Sequence, residues 1–150
     1  MPVAKRDISL RERALAMLAR REHTRVEMAR KLSTYAESAD QVEQLLDALA
    51  ARGWLSEARF TEQIVHARRS KYGAQRIAQE LKEKGVSADA VAAILPELRE
   101  SELETARAVW AKKFGVLPRD ARERAKQMRF LMSRGFSSGI IGKVLHGNGD

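Results

Sequence analysis

Cysteine is absent from the 150-residue sequence. Its absence removes disulfides, thiolate metal sites and cysteine nucleophiles, and it fits a reducing compartment. Long apolar runs are missing too. No uninterrupted one exceeds six residues, the length of Ala90 to Leu95, whereas a helix needs about twenty to span a bilayer. Lys5 and Arg6 near the N-terminus are not followed by the apolar stretch of a secretory signal. The expectation is a cytoplasmic protein without a membrane segment. Catalytic constellations are equally scarce. His23, His66 and His146 are scattered, and Gly142-Lys143 is followed by Val144, so it is not a phosphate loop. The pairs Glu80/Glu83 and Glu97/Glu100 have helical spacing and no neighbour that would raise a carboxyl pKa. These absences point away from an enzyme, a metal site or a bound cofactor.

Only three prolines and few aromatic residues occur (2 Trp, 2 Tyr, 4 Phe), and Val, Ile and Thr never alternate in a strand-like run. What fills the chain is Ala, Leu, Arg, Glu and Lys, the helix formers. The fold class is therefore all-α. Self-comparison adds an internal repeat. At an offset of 50, Leu81 meets Leu131, Gly85 meets Gly135, Ser87 meets Ser137, Val91 meets Ile141 and Leu95 meets Leu145. At an offset of 49, Leu32 meets Leu81, Ser38 meets Ser87, Val42 meets Val91 and Leu46 meets Leu95. Capping-box spacings begin at Ser9, Thr24, Ser38 and Ser101. Gly53, Gly85 and Gly135 each follow a basic residue and precede an apolar one, the pattern of a glycine-terminated helix.

This punctuation predicts helices near 10–21, 25–33, 39–52, 57–70, 74–84, 88–95, 102–114, 119–134 and 138–146, with Pro96 breaking or kinking the sixth. Grouped in threes, they form three tandem three-helix repeats in an elongated, curved array. The expected division is an N-terminal tail 1–9 and repeats 10–55, 56–99 and 100–150. Trp54 and Trp110 are expected to pack in the core.

The formal charge is +8 and the isoelectric point near 10.2, which suits a polyanionic partner. The charge lies in blocks. Residues 1–35 carry a net +5, 36–66 a net −4, 67–84 a net +4, 85–105 a net −4 and 106–150 a net +7. Second helices are basic, and the third helices of the first two repeats are acidic. Candidate binding residues are Arg68, Arg69, Lys71, Arg76, Lys82 and Lys84 in the middle repeat. In the last repeat they are Arg119, Arg122, Arg124, Lys126, Arg129 and Arg134. Helical spacing places Arg122, Lys126 and Arg129 on one face, with Arg119 one turn before. These cations can hold phosphates without reading sequence. Pairing with neighbouring acidic helices competes with that role. A second reading of the same pattern is a stand-alone DNA-binding array of helix-turn-helix type, which the scarcity of Asn and Gln on the basic faces disfavours for base readout.

Two segments carry a family resemblance. Leu55-Ser-Glu-Ala-Arg-Phe60, then Val65, Arg68, Gly73 and Arg76-Ile-Ala-Gln-Glu-Leu-Lys-Glu-Lys-Gly85, is similar to the central signature of the RecX regulatory proteins. Phe130-Leu-Met-Ser-Arg-Gly-Phe-Ser137 resembles that family's C-terminal motif. The resemblance covers roughly residues 10–146 and implies tandem three-helix units. It also implies binding to the RecA filament, lying in its helical groove, and modulation of RecA, usually by inhibiting its ATPase and strand exchange. Binding to single- and double-stranded DNA without sequence preference is implied with it. The expectation is a monomer acting without a cofactor.

Overall fold

Hydroxyl caps and glycines decide where this helix-rich chain is cut. Residues 8–146 are described by the structure, a computed structural model, and among them the only regular elements are helices. They are α1 (Leu10–Arg20), α2 (Arg25–Leu32), α3 (Ala39–Ala51), α4 (Glu57–Arg68), α5 (Ala74–Glu83), α6 (Ala88–Glu100), α7 (Glu102–Lys113), α8 (Ala121–Ser133) and α9 (Ser138–Leu145). The all-α expectation holds, in nine helices among the described residues.

The aligned positions play equivalent roles. Ser38, Ser87 and Ser137 each sit in extended backbone and accept a hydrogen bond from the amide three residues on, which satisfies a donor the helix start leaves orphaned. Thr24 and Glu27 complete a reciprocal capping box at α2. Gly53, Gly85 and Gly135 all have positive φ. After each, an amide reaches back five residues: Trp54 to Leu49 at 3.0 Å, Val86 to Leu81 at 2.9 Å and Phe136 to Leu131 at 3.3 Å. These are Schellman ends. Leu81 and Leu131, which precede them, are fully buried.

Four expectations are corrected. Pro96 does not end its helix, for α6 runs to Glu100. Pro96 and Ala92, whose carbonyl loses its partner, both face solvent. Water can therefore satisfy the freed group, while buried Leu98 anchors the last turn. The capping box at Ser101 does not form, because the continuation of α6 leaves Ser101 at φ −100, ψ 3 instead of in extended backbone. Its hydroxyl instead accepts a long hydrogen bond from Arg69 at 3.4 Å. The eighth helix starts at Ala121 behind the N-cap Asp120, so Arg119 lies outside it. Trp54 is 41% exposed and is flanked by the guanidinium groups of Arg11 and Arg52, 5.6 and 5.2 Å from its ring. Leu55, one residue later, enters the core in its place.

Two compact units divide the chain between Thr61 and Glu62, within α4. In the first, α2 packs on α1 and α3 around Ala14, Met28, Leu32, Val42, Leu46, Leu49 and Leu55. In the second, α5 packs on α6, α6 on α7, and α7, α8 and α9 on one another. Ala106, Leu131, Phe136, Ile141, Val144 and Leu145 form a core there, with half-buried Trp110 against it. The Trp110 indole nitrogen donates to Gln127 at 2.8 Å, so the second tryptophan packs as expected with its polar tip satisfied.

The second unit is joined by a backbone-to-backbone contact. Gly73 donates its amide to the Arg134 carbonyl at 2.7 Å. A Cβ on Gly73 would lie 2.4 Å from the Gly135 oxygen, and one on Gly135 would lie 2.3 Å from Arg76 Cβ. The start of α5 and the end of α8 can approach this closely only because both residues are glycine. Nearby, the buried carboxylate of Glu102 accepts from the Ala74 amide at 2.9 Å and from the Ser137 hydroxyl at 3.4 Å. It thereby caps α5 from α7, a role its spacing to Ser101 did not suggest.

Candidate nucleic-acid interface

All twelve candidate cations lie in the second unit, and the structure sorts them by whether a carboxylate already holds them. Arg68 donates to Glu80 at 2.9 and 3.3 Å, and that hydrogen bond raises its pKa above the ordinary arginine value. Arg69 faces Glu97 at 3.8 Å. Arg119 folds over Glu123 at 3.0 Å. The Arg119 amide, then its guanidinium, hold the Glu123 carboxyl below its usual range. Exposed pairs of this kind are weak, so a phosphate can displace them, but each locally cancels a positive charge.

On α8, Arg122, Lys126 and Arg129 are exposed, as their spacing predicts, and Arg124 is half-buried. Lys126 borders a recess of about 430 Å³ that it shares with Phe114, Val116, Arg119, Glu123 and Gln127. On α5, Lys82 is exposed and stands apart from the cavities described here.

Tyr72 separates two grooves. The first, of about 710 Å³, holds Arg68, Arg76 and Lys84, but also Glu80 and Glu83. Arg76 stacks on Tyr72 at 4.2 Å and donates to the Ser133 carbonyl at 2.8 Å. The second groove, of about 590 Å³, brings Lys71 and Arg134 together with Lys112 and Lys113 around Phe130, with no acidic side chain in its wall. Arg134 lies 5.0 Å from the Phe130 ring and 5.5 Å from Tyr72. Lys113 lies 5.5 Å from Phe130.

Sequence reasoning missed Lys112, Lys113, Tyr72 and Phe130. A lysine pair in the last turn of a helix is ordinarily explained by the helix dipole, and its proximity to Lys71 depends on how α7 and α8 pack. The close approach at Gly73 and Gly135 is what carries the α4–α5 loop to the end of α8.

Among the described residues no group of three or more His, Asp or Glu side chains could hold a metal ion, and no helix is long and apolar enough to cross a membrane.

The chain is similar to known proteins in sequence and in fold. The family models described as "RecX, second three-helix domain" and "RecX, third three-helix domain" match residues 56–95 and 100–145. A protein of Ralstonia nicotianae named "Regulatory protein RecX" is 46% identical over 147 residues, covering 98% of this chain and 92% of the relative. Its namesake in Leptothrix cholodnii is 52% identical over 138 residues, covering 92% and 88%. The crystal structure of RecX from Lactobacillus salivarius superposes with a TM-score of 0.77 at 20% identity, over 91% of this chain and 92% of that one. At that identity the superposition speaks for the fold.

Proposed function

Because this chain belongs to the RecX family of regulatory proteins, we propose that it acts without catalysis of its own, binding the RecA–DNA filament and inhibiting RecA ATPase, strand exchange and the recombinational repair that depends on them. The observation that best supports this reading, beyond family membership, is the exposed row of Arg122, Lys126 and Arg129 on α8. Such a row suits an acidic filament surface or the strand the filament carries. Phosphate contacts of this type favour single- and double-stranded DNA without sequence preference. The protein works as a monomer in the cytoplasm and needs no cofactor. Its three three-helix repeats, with bounds near 10–55, 56–99 and 100–150, engage successive filament subunits and hinder the motions coupled to ATP hydrolysis.

The test is RecA ATPase on single-stranded DNA with the protein titrated in. Dose-dependent inhibition and co-sedimentation with filaments are expected, and the absence of both overturns the proposal. Reversing Arg122, Lys126 and Arg129 to Glu should weaken filament binding roughly tenfold or more at low salt, with helicity unchanged. Unaltered affinity would remove the α8 face from the contact.

A further inference from the structure

The groove bordered by Ser70, Lys71, Tyr72, Lys112, Lys113 and Arg134 differs from the two other recesses of the second unit, which hold Glu123 or Glu80 and Glu83, in having no acidic side chain in its wall. Most arginines elsewhere that face a carboxylate are paired with it: Arg25 with Glu43 and Asp47, Arg59 with Glu22, Arg68 with Glu80 and Arg119 with Glu123. Among the described residues, none of Lys71, Lys112, Lys113 and Arg134 makes an ion pair, and no acidic side chain lines their groove. Four like charges in one recess repel one another, a cost recovered only when an anion enters. Two of these cations are positioned by rings. Arg134 lies between Phe130 and Tyr72, and Lys113 over Phe130, so aromatic faces hold these two where acids do so elsewhere, while Lys71 and Lys112 are exposed. Phe130 is itself braced edge-on by Phe114 at 5.4 Å. A recess of about 590 Å³ takes an extended chain segment, not a globular surface.

We infer that this groove is a phosphodiester-backbone site, in which Lys71, Lys112, Lys113 and Arg134 hold successive phosphates of one nucleic-acid strand without reading its bases. The inference deepens the regulator reading, on which it rests for the identity of the polyanion. It places the strand on the opposite side of Tyr72 from the mixed-charge groove of Arg68, Arg76, Glu80 and Glu83. It also adds Lys112 and Lys113 to the residues that meet nucleic acid. Such a site tolerates any sequence and depends steeply on salt.

The experiment measures binding of fluorescein-labelled oligo(dT) to the full chain by anisotropy across a salt series, with no recombinase present. The triple variant Lys71→Gln, Lys112→Gln, Lys113→Gln is compared with a control lacking two exposed cations elsewhere, Arg99→Gln with Lys143→Gln. Each phosphate contact contributes about 0.7 to the slope of log K against log salt for a single strand. The triple variant should therefore flatten that slope by about 2 and bind roughly tenfold or more weakly at low salt. The control should lose far less slope per charge removed. Melting of the triple variant should stay at or above that of the parent, since repulsion is relieved.

A second, variant-free measurement is photocrosslinking of a 5-iodouracil strand to the unmodified chain, with adducts expected at Tyr72 or Phe130. Equal slope change per charge in the two variants overturns the groove. So do adducts confined to the Arg122–Arg129 face, or displacement of oligo(dT) by poly-glutamate of equal charge as readily as by unlabelled strand. The two readings fail separately: a protein that inhibits RecA ATPase but whose triple variant binds oligo(dT) normally sinks the groove alone. One that binds oligo(dT) through the groove without affecting RecA sinks the regulator reading alone.

Discussion

Gly73→Ala should destabilise the second unit by more than any propensity argument allows. Gly73 is the N-cap of α5, with a φ of −78 and ψ of 167 that alanine can also adopt, so on local grounds the change would cost about 1 kcal/mol or less. The tertiary contact adds a larger cost. The new Cβ would lie 2.4 Å from the Gly135 oxygen, 2.5 Å from its carbonyl carbon and 2.7 Å from the Phe136 nitrogen. Ordinary contact is about 3.5–4.0 Å, so two backbone segments must part by about 1 Å. Neither is a flexible side chain, because the Gly135–Phe136 backbone is already committed to the Schellman turn that ends α8. Overpacking of this kind costs about 1–3 kcal/mol. Parting the segments also loses the 2.7 Å bond from the Gly73 amide to the Arg134 carbonyl, worth about 1 kcal/mol. A loss of about 2–4 kcal/mol corresponds to a fall in melting temperature on the order of 10 °C or more for a unit of this size. The measurement is thermal unfolding followed by circular dichroism. Gly53→Ala serves as reference, because a Cβ there meets nothing within 4 Å and only the positive φ of 76 is strained. That costs about 1–2 kcal/mol. If Gly73→Ala melts within about 2 °C of the parent, or loses less than Gly53→Ala, the close approach is not what joins α5 to α8.

Two further predictions concern buried polar groups. His23 is 3% exposed, and its pKa lies below the ordinary 6.5, chiefly through burial, with the Arg21 charge adding to the effect. The unfolded chain therefore binds this proton more readily than the folded one, and stability is lost as pH falls below about 6.5. In a pH series of melting temperatures, His23→Asn should flatten that decline, and an unchanged profile would show that His23 does not govern it. Glu102→Ala removes the acceptor of the Ala74 amide and should cost about 1–3 kcal/mol in denaturant unfolding. A loss below about 0.5 kcal/mol would mean that water or another group satisfies the amide.

Much of the fold is local and was therefore legible. The caps at Ser38, Ser87 and Ser137 and the glycine ends at Gly53, Gly85 and Gly135 are written in residues that act on their own neighbours, within five positions. The repeat offset of about fifty shows because the same local devices recur. Expectations failed where a longer-range partner decided the outcome. Leu98 holds the turn beyond Pro96, and that continuation denies Ser101 its cap. Trp54 sits between Arg11 and Arg52, while Leu55 takes the buried position.

The candidate interface divides in the same way. Helical period alone placed Arg122, Lys126 and Arg129 on one face, and composition alone supplied the excess of cations. Which cations remain unneutralised was settled only by tertiary structure. Glu80 lies twelve residues from Arg68, and Lys112 forty-one from Lys71, so neither the pairing nor the shared groove follows from spacing along one helix. The sequence by itself determined the helices, their ends and the sign of the charge, because those depend on neighbours within a turn or two. Packing of α5, α7 and α8 through Gly73 and Gly135 decided where positive charge gathers without an acid, because Coulomb interactions follow distance in space and not order along the chain.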